Sequence, residues 1–211
     1  MAVCWPKDLV RCLIFLANRF VAPRKSLLLH SLYQTVMNRI FLVGYMGAGK
    51  TTIGKVLSKL IGLTFIDLDY YIEGRFRKTV AQLFAERGEE GFRSIERNML
   101  HEVAEFEDVL VSTGGGTPCF FDNMEFMNQQ GTTIYLQVSV DELASRLEVC
   151  KHTRPVLKNR TGDELKAFVA ENLSGRLPFY QKASIVFDAN ELMTEADAYA
   201  LSEQLKKLIE P

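Results

Sequence analysis

The sequence predicts an α/β domain: a three-layer, doubly wound sheet of five parallel strands. Three observations carry this. From Arg39 onward, short apolar runs alternate with helical patterns, as parallel strands joined by crossover helices require. The runs Ile40–Val43 and Val109–Ser112 are continuous rather than alternating, the pattern of strands covered on both faces. The residues with chemical character fall just after strands, at the carboxyl edge where such sheets bind ligands.

In chain order, Ile40–Val43 is the first strand and runs straight into a glycine loop. The next helix carries Ile53, Val56, Leu57 and Leu60 on one face and stops near Gly62, a C-terminal cap. Thr64–Asp67 reads as the second strand, with Asp67 and Asp69 at its close. Two residues apart on extended chain, these carboxylates are expected to point to the same side. Two helical stretches follow, the first starting after Asp69. The second is opened by the capping box Thr79-x-x-Gln82 and ends at Gly88. A longer helix is expected over Glu90–Glu105, before the strand Val109–Ser112 and the run Thr113-Gly114-Gly115-Gly116. A helix over Asn123–Gln130, the strand Thr133–Val138 and a helix from Val140 to about Glu148 come next. Lys151–Asp163 is polar, holds Pro155 and Gly162, and is long for a connection between packed elements, so it reads as a surface loop. The chain closes with a helix from Glu164 to about Leu173, the strand Ser184–Asp188, and a helix opened by Thr194-x-x-Asp197 with Ala198, Leu201, Leu205 and Leu208 along one face.

With 211 residues, 47% apolar and 24% charged, the chain suits one well-filled soluble domain. A formal net charge of −1 sets up no global field for nucleic acid, so a small anionic ligand has to be held by local basic groups. Cys4, Cys12, Cys119 and Cys150 form no C-x-x-C pair and have no His at zinc-ligand spacing, which reads as reduced thiols in a cytoplasmic protein. The first 36 residues are basic, with Lys7, Arg11, Arg19, Arg24 and Lys25 against Asp8. Their apolar patches are broken by Asn18, Arg19, Arg24 and Lys25, short of the roughly 20 apolar residues of a membrane span. No small-residue cleavage site marks a secretory signal, and an organelle address would carry more Ser. The domain pattern begins directly after Met37. Residues 1–36 are therefore expected to be an extension that the fold does not require, and 37–211 a single domain.

Gly44-x4-Gly49-Lys50-Thr51 satisfies G-x-x-x-x-G-K-[ST] between a buried-type strand and an amphipathic helix. In such a loop successive backbone N–H groups turn inward around phosphate oxygens, with the helix N-terminus behind them. Lys50 can reach the β- and γ-phosphates, and the Thr51 hydroxyl is placed to ligate Mg²⁺. Of Asp67 and Asp69, one carboxylate can hold Mg²⁺ through water and the other can orient a hydroxyl or take its proton. Gly114-Gly115-Gly116 points to a tight turn or close ligand approach. Arg93, Arg154 and Arg176 are the basic residues singled out, since arginine forks match carboxylate and phosphate oxygens. Arg154 stands in the long polar loop, where it can swing onto a nucleotide as a lid closes.

Together, Gly44-x4-Gly49-Lys50-Thr51, Asp67-Leu68-Asp69, Phe92-Arg93-x-x-Glu96, Gly114-Gly115-Gly116, Arg154-Pro155 and Arg176-x3-Tyr180 resemble the shikimate kinases, a family with the P-loop fold of nucleoside-monophosphate kinases. The resemblance implies transfer of the γ-phosphoryl of MgATP to the 3-hydroxyl of shikimate, with Lys50, Asp69 and Arg154 as catalytic groups. It implies ATP contacts from Gly47, Ala48, Gly49, Lys50, Thr51, Thr52, Arg146 and Arg154, and Mg²⁺ on Thr51 and Asp67. Asp69, Arg93, Gly114, Gly115, Gly116 and Arg176 are the implied shikimate site, with the two arginines on the carboxylate and Glu96 bracing Arg93. A mobile lid is expected over about residues 150–163, in a monomer with no nucleic-acid or membrane partner. Two rivals differ from this reading. One is another small-molecule kinase on the same scaffold, for gluconate or a nucleoside monophosphate. The other is a non-catalytic nucleotide-binding regulator, although the N-K-x-D segment of guanine-specific switches does not occur.

Overall fold

A computed structural model describes residues 38–150, 157 and 160–209, nearly all within the compact unit Arg39–Pro211. The expectation for residues 1–36 and most of the expected lid, Arg154 included, lie outside the described residues.

Five strands form one parallel sheet: β1 (Arg39–Val43), β2 (Thr64–Asp67), β3 (Val109–Ser112), β4 (Thr132–Gln137) and β5 (Ile185–Asp188), in the order β2-β3-β1-β4-β5. Central β1 pairs Phe41 with Val111 on one side and Thr133 on the other. Successive residues of a strand face opposite sides. Ile40, Phe41, Leu42 and Val43 are all at most 2% exposed, so both faces are covered. The expected doubly wound, three-layer sheet is present. Because β1 lies between β3 and β4, the chain leaves β1 and β3 toward different sides, and the crevice opens beyond their carboxyl ends.

The helices are α1 (Lys50–Ile61), α2 (Leu68–Phe76), α3 (Val80–Ala104), α4 (Asn123–Gln130), α5 (Val140–Cys150), α6 (Gly162–Tyr180) and α7 (Glu195–Ile209). Gly62 ends α1 in the left-handed conformation, as its position suggested. The capping box at Thr79 and Gln82 forms in full. Gly88, at φ 68° and ψ −178°, breaks α3 into the two stretches expected on either side of it. Thr194 and Asp197 cap α7 reciprocally: Thr194 Oγ1 accepts from Asp197 N, while Asp197 Oδ2 accepts from the Thr194 N–H and hydroxyl.

Two boundaries differ from expectation in ways that matter to the site. The helix after β2 begins at Leu68, not after Asp69, because the Asp67 side chain accepts from the N–H groups of Asp69 and Tyr70 and caps it. And α6 does not stop near Leu173. It runs through Gly175 and Pro178 to Tyr180, overriding two poor helix formers because Leu173 and Tyr180 are buried at its far end.

Candidate active site

The glycine loop joins β1 to α1, and its last glycine, Gly49, takes φ 91° immediately before the helix begins at Lys50. A side chain there would be strained by the backbone and would run into Leu192 as well. Lys50 is buried and folds back across the loop, its ammonium donating to the carbonyls of Gly44 (2.7 Å) and Tyr45 (2.9 Å). This fixes the positive charge at the loop's mouth, beside the N-terminus of α1. Thr51 Oγ1 donates to Asp67 Oδ2 at 2.8 Å, bringing the expected pair of metal ligands together.

Asp67 and Asp69 reach the same cavity by a route other than the expected one. Asp67 ends β2 and caps α2, whereas Asp69 sits in the first helical turn, so strand alternation does not align them. The helical turn does: Asp67 faces Thr51, and Asp69 faces the glycine turn after β3.

That turn is the hub of the site. A methyl group added at Gly114 would lie 2.9 Å from Glu96 Oε1 and 3.1 Å from Asp69 Oδ1. At Gly115 it would lie 3.3 Å from Met46 N and 3.5 Å from Arg176 Nη1; at Gly116, 2.7 Å from Arg93 Nη2. The glycines are required by close approach from three directions, not by flexibility. Arg93 thus meets the turn at Gly116, and Arg176 meets it at Gly115, beside the phosphate loop. Arg93 donates to Glu96 Oε2 (2.8 Å) and stands 3.5 Å from Glu89. Its guanidinium is boxed by Phe120 at 4.1 Å and by Phe84 and Phe92 at 5.5 Å, and its Nε is buried without a hydrogen-bond partner. Arg176 lies 5.3 Å from the Tyr45 ring. Tyr180 Oη donates to Gly115 O at 2.5 Å, and burial raises its pKa far above the ordinary phenol value, so it stays a neutral donor. Burial likewise pushes the free thiol of Cys119, nearby, up to about 11.

A cavity of about 620 Å³ runs between these parts. Gly47, Gly49, Lys50, Thr51, Thr52, Asp67, Asp69, Gly114, Gly115 and Arg146 line it. Ala48 is buried within the loop, and Arg93, Gly116 and Arg176 border the glycine turn without lining this cavity. Arg146 is held by Glu142 (2.7 Å) and by the carbonyls of Ala189 (2.9 Å) and Asn190 (2.8 Å). Sequence reasoning missed the segment Leu192–Glu195, which lines the same end of the cavity with Leu147 and Val149. It follows β5, so the carboxyl-edge rule that located the other groups also pointed to it.

Comparison with known proteins supplies the chemistry's name. The family model described as shikimate kinase matches residues 46–206. A shikimate kinase of Parabacteroides distasonis is 72% identical over 173 residues, which cover 82% of this chain and all of that protein. The crystal structure of shikimate kinase from Bacteroides thetaiotaomicron aligns with a TM-score of 0.80 at 54% identity, covering 83% of this chain and 99% of that one. The shikimate kinase from Acinetobacter baumannii in complex with shikimate aligns at 0.73 and 32% identity, covering 85% and 96%.

Proposed function

The chain belongs to the shikimate kinase family, and from that premise we propose how its residues divide the transfer of the ATP γ-phosphoryl group to the 3-hydroxyl of shikimate. It is an enzyme, a kinase that uses ATP. The observation that carries the residue assignment is the position of Gly115. A methyl group at that glycine would lie against both Met46 N of the phosphate loop and the Arg176 guanidinium, so the two proposed anion-binding arms approach one turn.

On the phosphate arm, Gly47, Ala48, Gly49 and Thr52 contribute to the nucleotide site, and Lys50 neutralises charge on the β- and γ-phosphates. Arg146, anchored beside the loop, borders the base end. Thr51 and Asp67 fit Mg²⁺: both donors are hard oxygens, 2.8 Å apart, and that ion keeps water and takes phosphate oxygens rather than needing a protein cage. When bound there it supplies further neutralisation of phosphate charge. Arg154, outside the described residues, is assigned to the lid on its motif alone.

On the other arm, Arg93 and Arg176 hold the substrate carboxylate. The buried, unpartnered Nε of Arg93 supports this, since an orphaned donor beside a ring-lined guanidinium suits a carboxylate oxygen. Asp69, across Gly114, orients the 3-hydroxyl and accepts its proton as the O–P bond forms. Residues 37–211 suffice for this chemistry, as a monomer. The match of 173 residues to a whole relative supports that, and a chain starting at Met37 is expected to keep full activity. The free Cys119 thiol suits a reducing cytoplasm.

The deciding experiment supplies MgATP with shikimate, gluconate or a nucleoside monophosphate and follows ADP. Shikimate-dependent ADP is expected. Faster turnover with either of the others sinks the reading.

A further inference from the structure

Beside the carboxylate grip, the buried polar chain that starts at Glu96 continues to Thr117 and Asn123, which no motif of the sequence accounts for. Glu96 is 1% exposed, and each of its oxygens has its own donor: Oε2 accepts from Arg93 Nη1 at 2.8 Å, and Oε1 accepts from the Thr117 hydroxyl at 2.5 Å. The second distance is that of a charge-assisted O–H···O⁻ bond. Thr117 is itself fully buried at the start of the short 3-10 helix Thr117–Cys119, and Asn123 Nδ2, from the first residue of α4, donates to its carbonyl at 2.9 Å. The same turn carries Phe120, whose ring covers the guanidinium of Arg93 at 4.1 Å.

We propose that Thr117 is a positioning residue for substrate recognition: its hydroxyl sets the rotation of the Glu96 carboxylate, which sets the angle at which Arg93 meets the substrate carboxylate. The proposal rests on the reading of Arg93 as that grip. A carboxylate held at one oxygen only can turn about its terminal torsion, where the energy wells are broad. Held at both oxygens, it presents a fixed acceptor to Nη1, so the fork of Arg93 keeps one plane. Phe120 fixes that plane from its face. None of these bonds reaches the phosphate loop, so the loss of the path falls on shikimate and spares ATP.

The test compares the full-length chain with Thr117→Val and Thr117→Ser, using shikimate and an analogue whose carboxylate is a carboxamide. In Thr117→Val the KM for shikimate is expected to rise about ten-fold, with kcat and the KM for ATP within about two-fold of the parent. Thr117→Ser, which restores the hydroxyl, is expected to stay within about two-fold throughout. The preference for shikimate over the carboxamide, in kcat/KM, is expected to fall about ten-fold in Thr117→Val, because what is lost is the carboxylate's own contact. Thr117→Ala reads the same preference should Thr117→Val not fold. A merely structural Thr117 would raise both KM values together and leave the preference intact, and that result overturns the proposal, as does a Thr117→Ser variant no better than Thr117→Val. Arg93→Lys separates the two layers. If it keeps the preference, the Arg93 reading fails and takes this one with it; if it abolishes the preference while Thr117→Val does not, only the Thr117 role is wrong.

Discussion

The phosphate loop and the glycine turn that faces it are built by different means. Between Gly44 and Lys50 the groups proposed to meet phosphate are consecutive in the chain, fixed by the backbone and by the ammonium folded onto the Gly44 and Tyr45 carbonyls. Across the cavity, Arg93 comes from α3, Arg176 from α6, and Asp69 from the first turn of α2, all converging on the turn after β3. One arm is a local shape that the chain makes almost alone. The other is a convergence of side chains, each held by packing elsewhere. The first is expected to fail completely at a single position, and the second by degrees, with shikimate and ATP affected unequally.

The largest effect tests the local arm. Lys50→Met removes the buried ammonium from the loop's mouth and is expected to lower kcat about a thousand-fold or more. The melting temperature is expected to stay near that of the parent chain, and a calorimetric scan alongside the rate measurement checks this. Substantial residual turnover would mean that the phosphate arm is also distributed.

Gly116→Ala probes the converging arm at its tightest point. The new methyl group falls 2.7 Å from Arg93 Nη2, and the guanidinium has nowhere to retreat because Phe84, Phe92 and Phe120 surround it. The KM for shikimate is expected to rise about ten- to a hundred-fold while ATP binding, read by fluorescence titration, barely changes. Equal losses for both substrates would erase the contrast between the arms.

These two arms also differed in how legible they were. The phosphate loop was readable because its physics is local: a glycine spacing, one Lys, one Thr, and a strand and helix on either side. Asp67 and Asp69 were identified, but their geometry was misjudged. Strand alternation was the wrong periodicity once Asp67 capped a helix that starts one residue later. Arg93 and Arg176 were singled out as arginines and given their role by motif resemblance, since no local signal says that Phe120 will close over the Arg93 guanidinium. The closing of Phe120 over Arg93, the Thr117–Glu96 bond and the wall at Leu192–Glu195 depend on residues well apart in sequence that meet only in the folded chain. The reach of α6 to Tyr180 was invisible for the same reason. Gly175 and Pro178 argue locally against a helix, and burial of Tyr180 decides otherwise.

Tyr180→Phe makes a smaller change on the same arm. It deletes one oxygen, leaving the Gly115 carbonyl without its phenol donor while the ring stack on Tyr135, at 5.2 Å, persists. A loss of about 1–3 kcal/mol in denaturant unfolding is expected, with a few-fold rise in the KM for shikimate. If stability fell with no change in KM, Gly115 would be held in place by its neighbours and not by the phenol.

The smallest effect concerns pH, and it too falls on the converging arm. His101 lies on α3, two turns beyond Arg93, stacked on Phe126 of α4 at 3.8 Å, with its Nε2 buried and unpartnered. Burial, and then the nearby Arg97, hold its pKa below the ordinary histidine value, while Asp122 and Glu105 oppose the shift. The unfolded chain therefore binds the proton more readily than the folded one. Stability from this group is complete above about pH 6.5 and is lost as pH falls from there toward the lower folded value. His101→Phe keeps a ring against Phe126 and has no proton to gain, so the melting temperature of that variant is expected to stay level between pH 7 and pH 5.5 where the parent's declines. What His101 stacks on is Phe126 of α4, so ATP binding in the parent is not expected to decline along with its melting temperature over the same window. A parallel decline in ATP binding would show that the packing of α3 on α4 reaches the phosphate loop after all, and that the two arms are less separate than their construction implies.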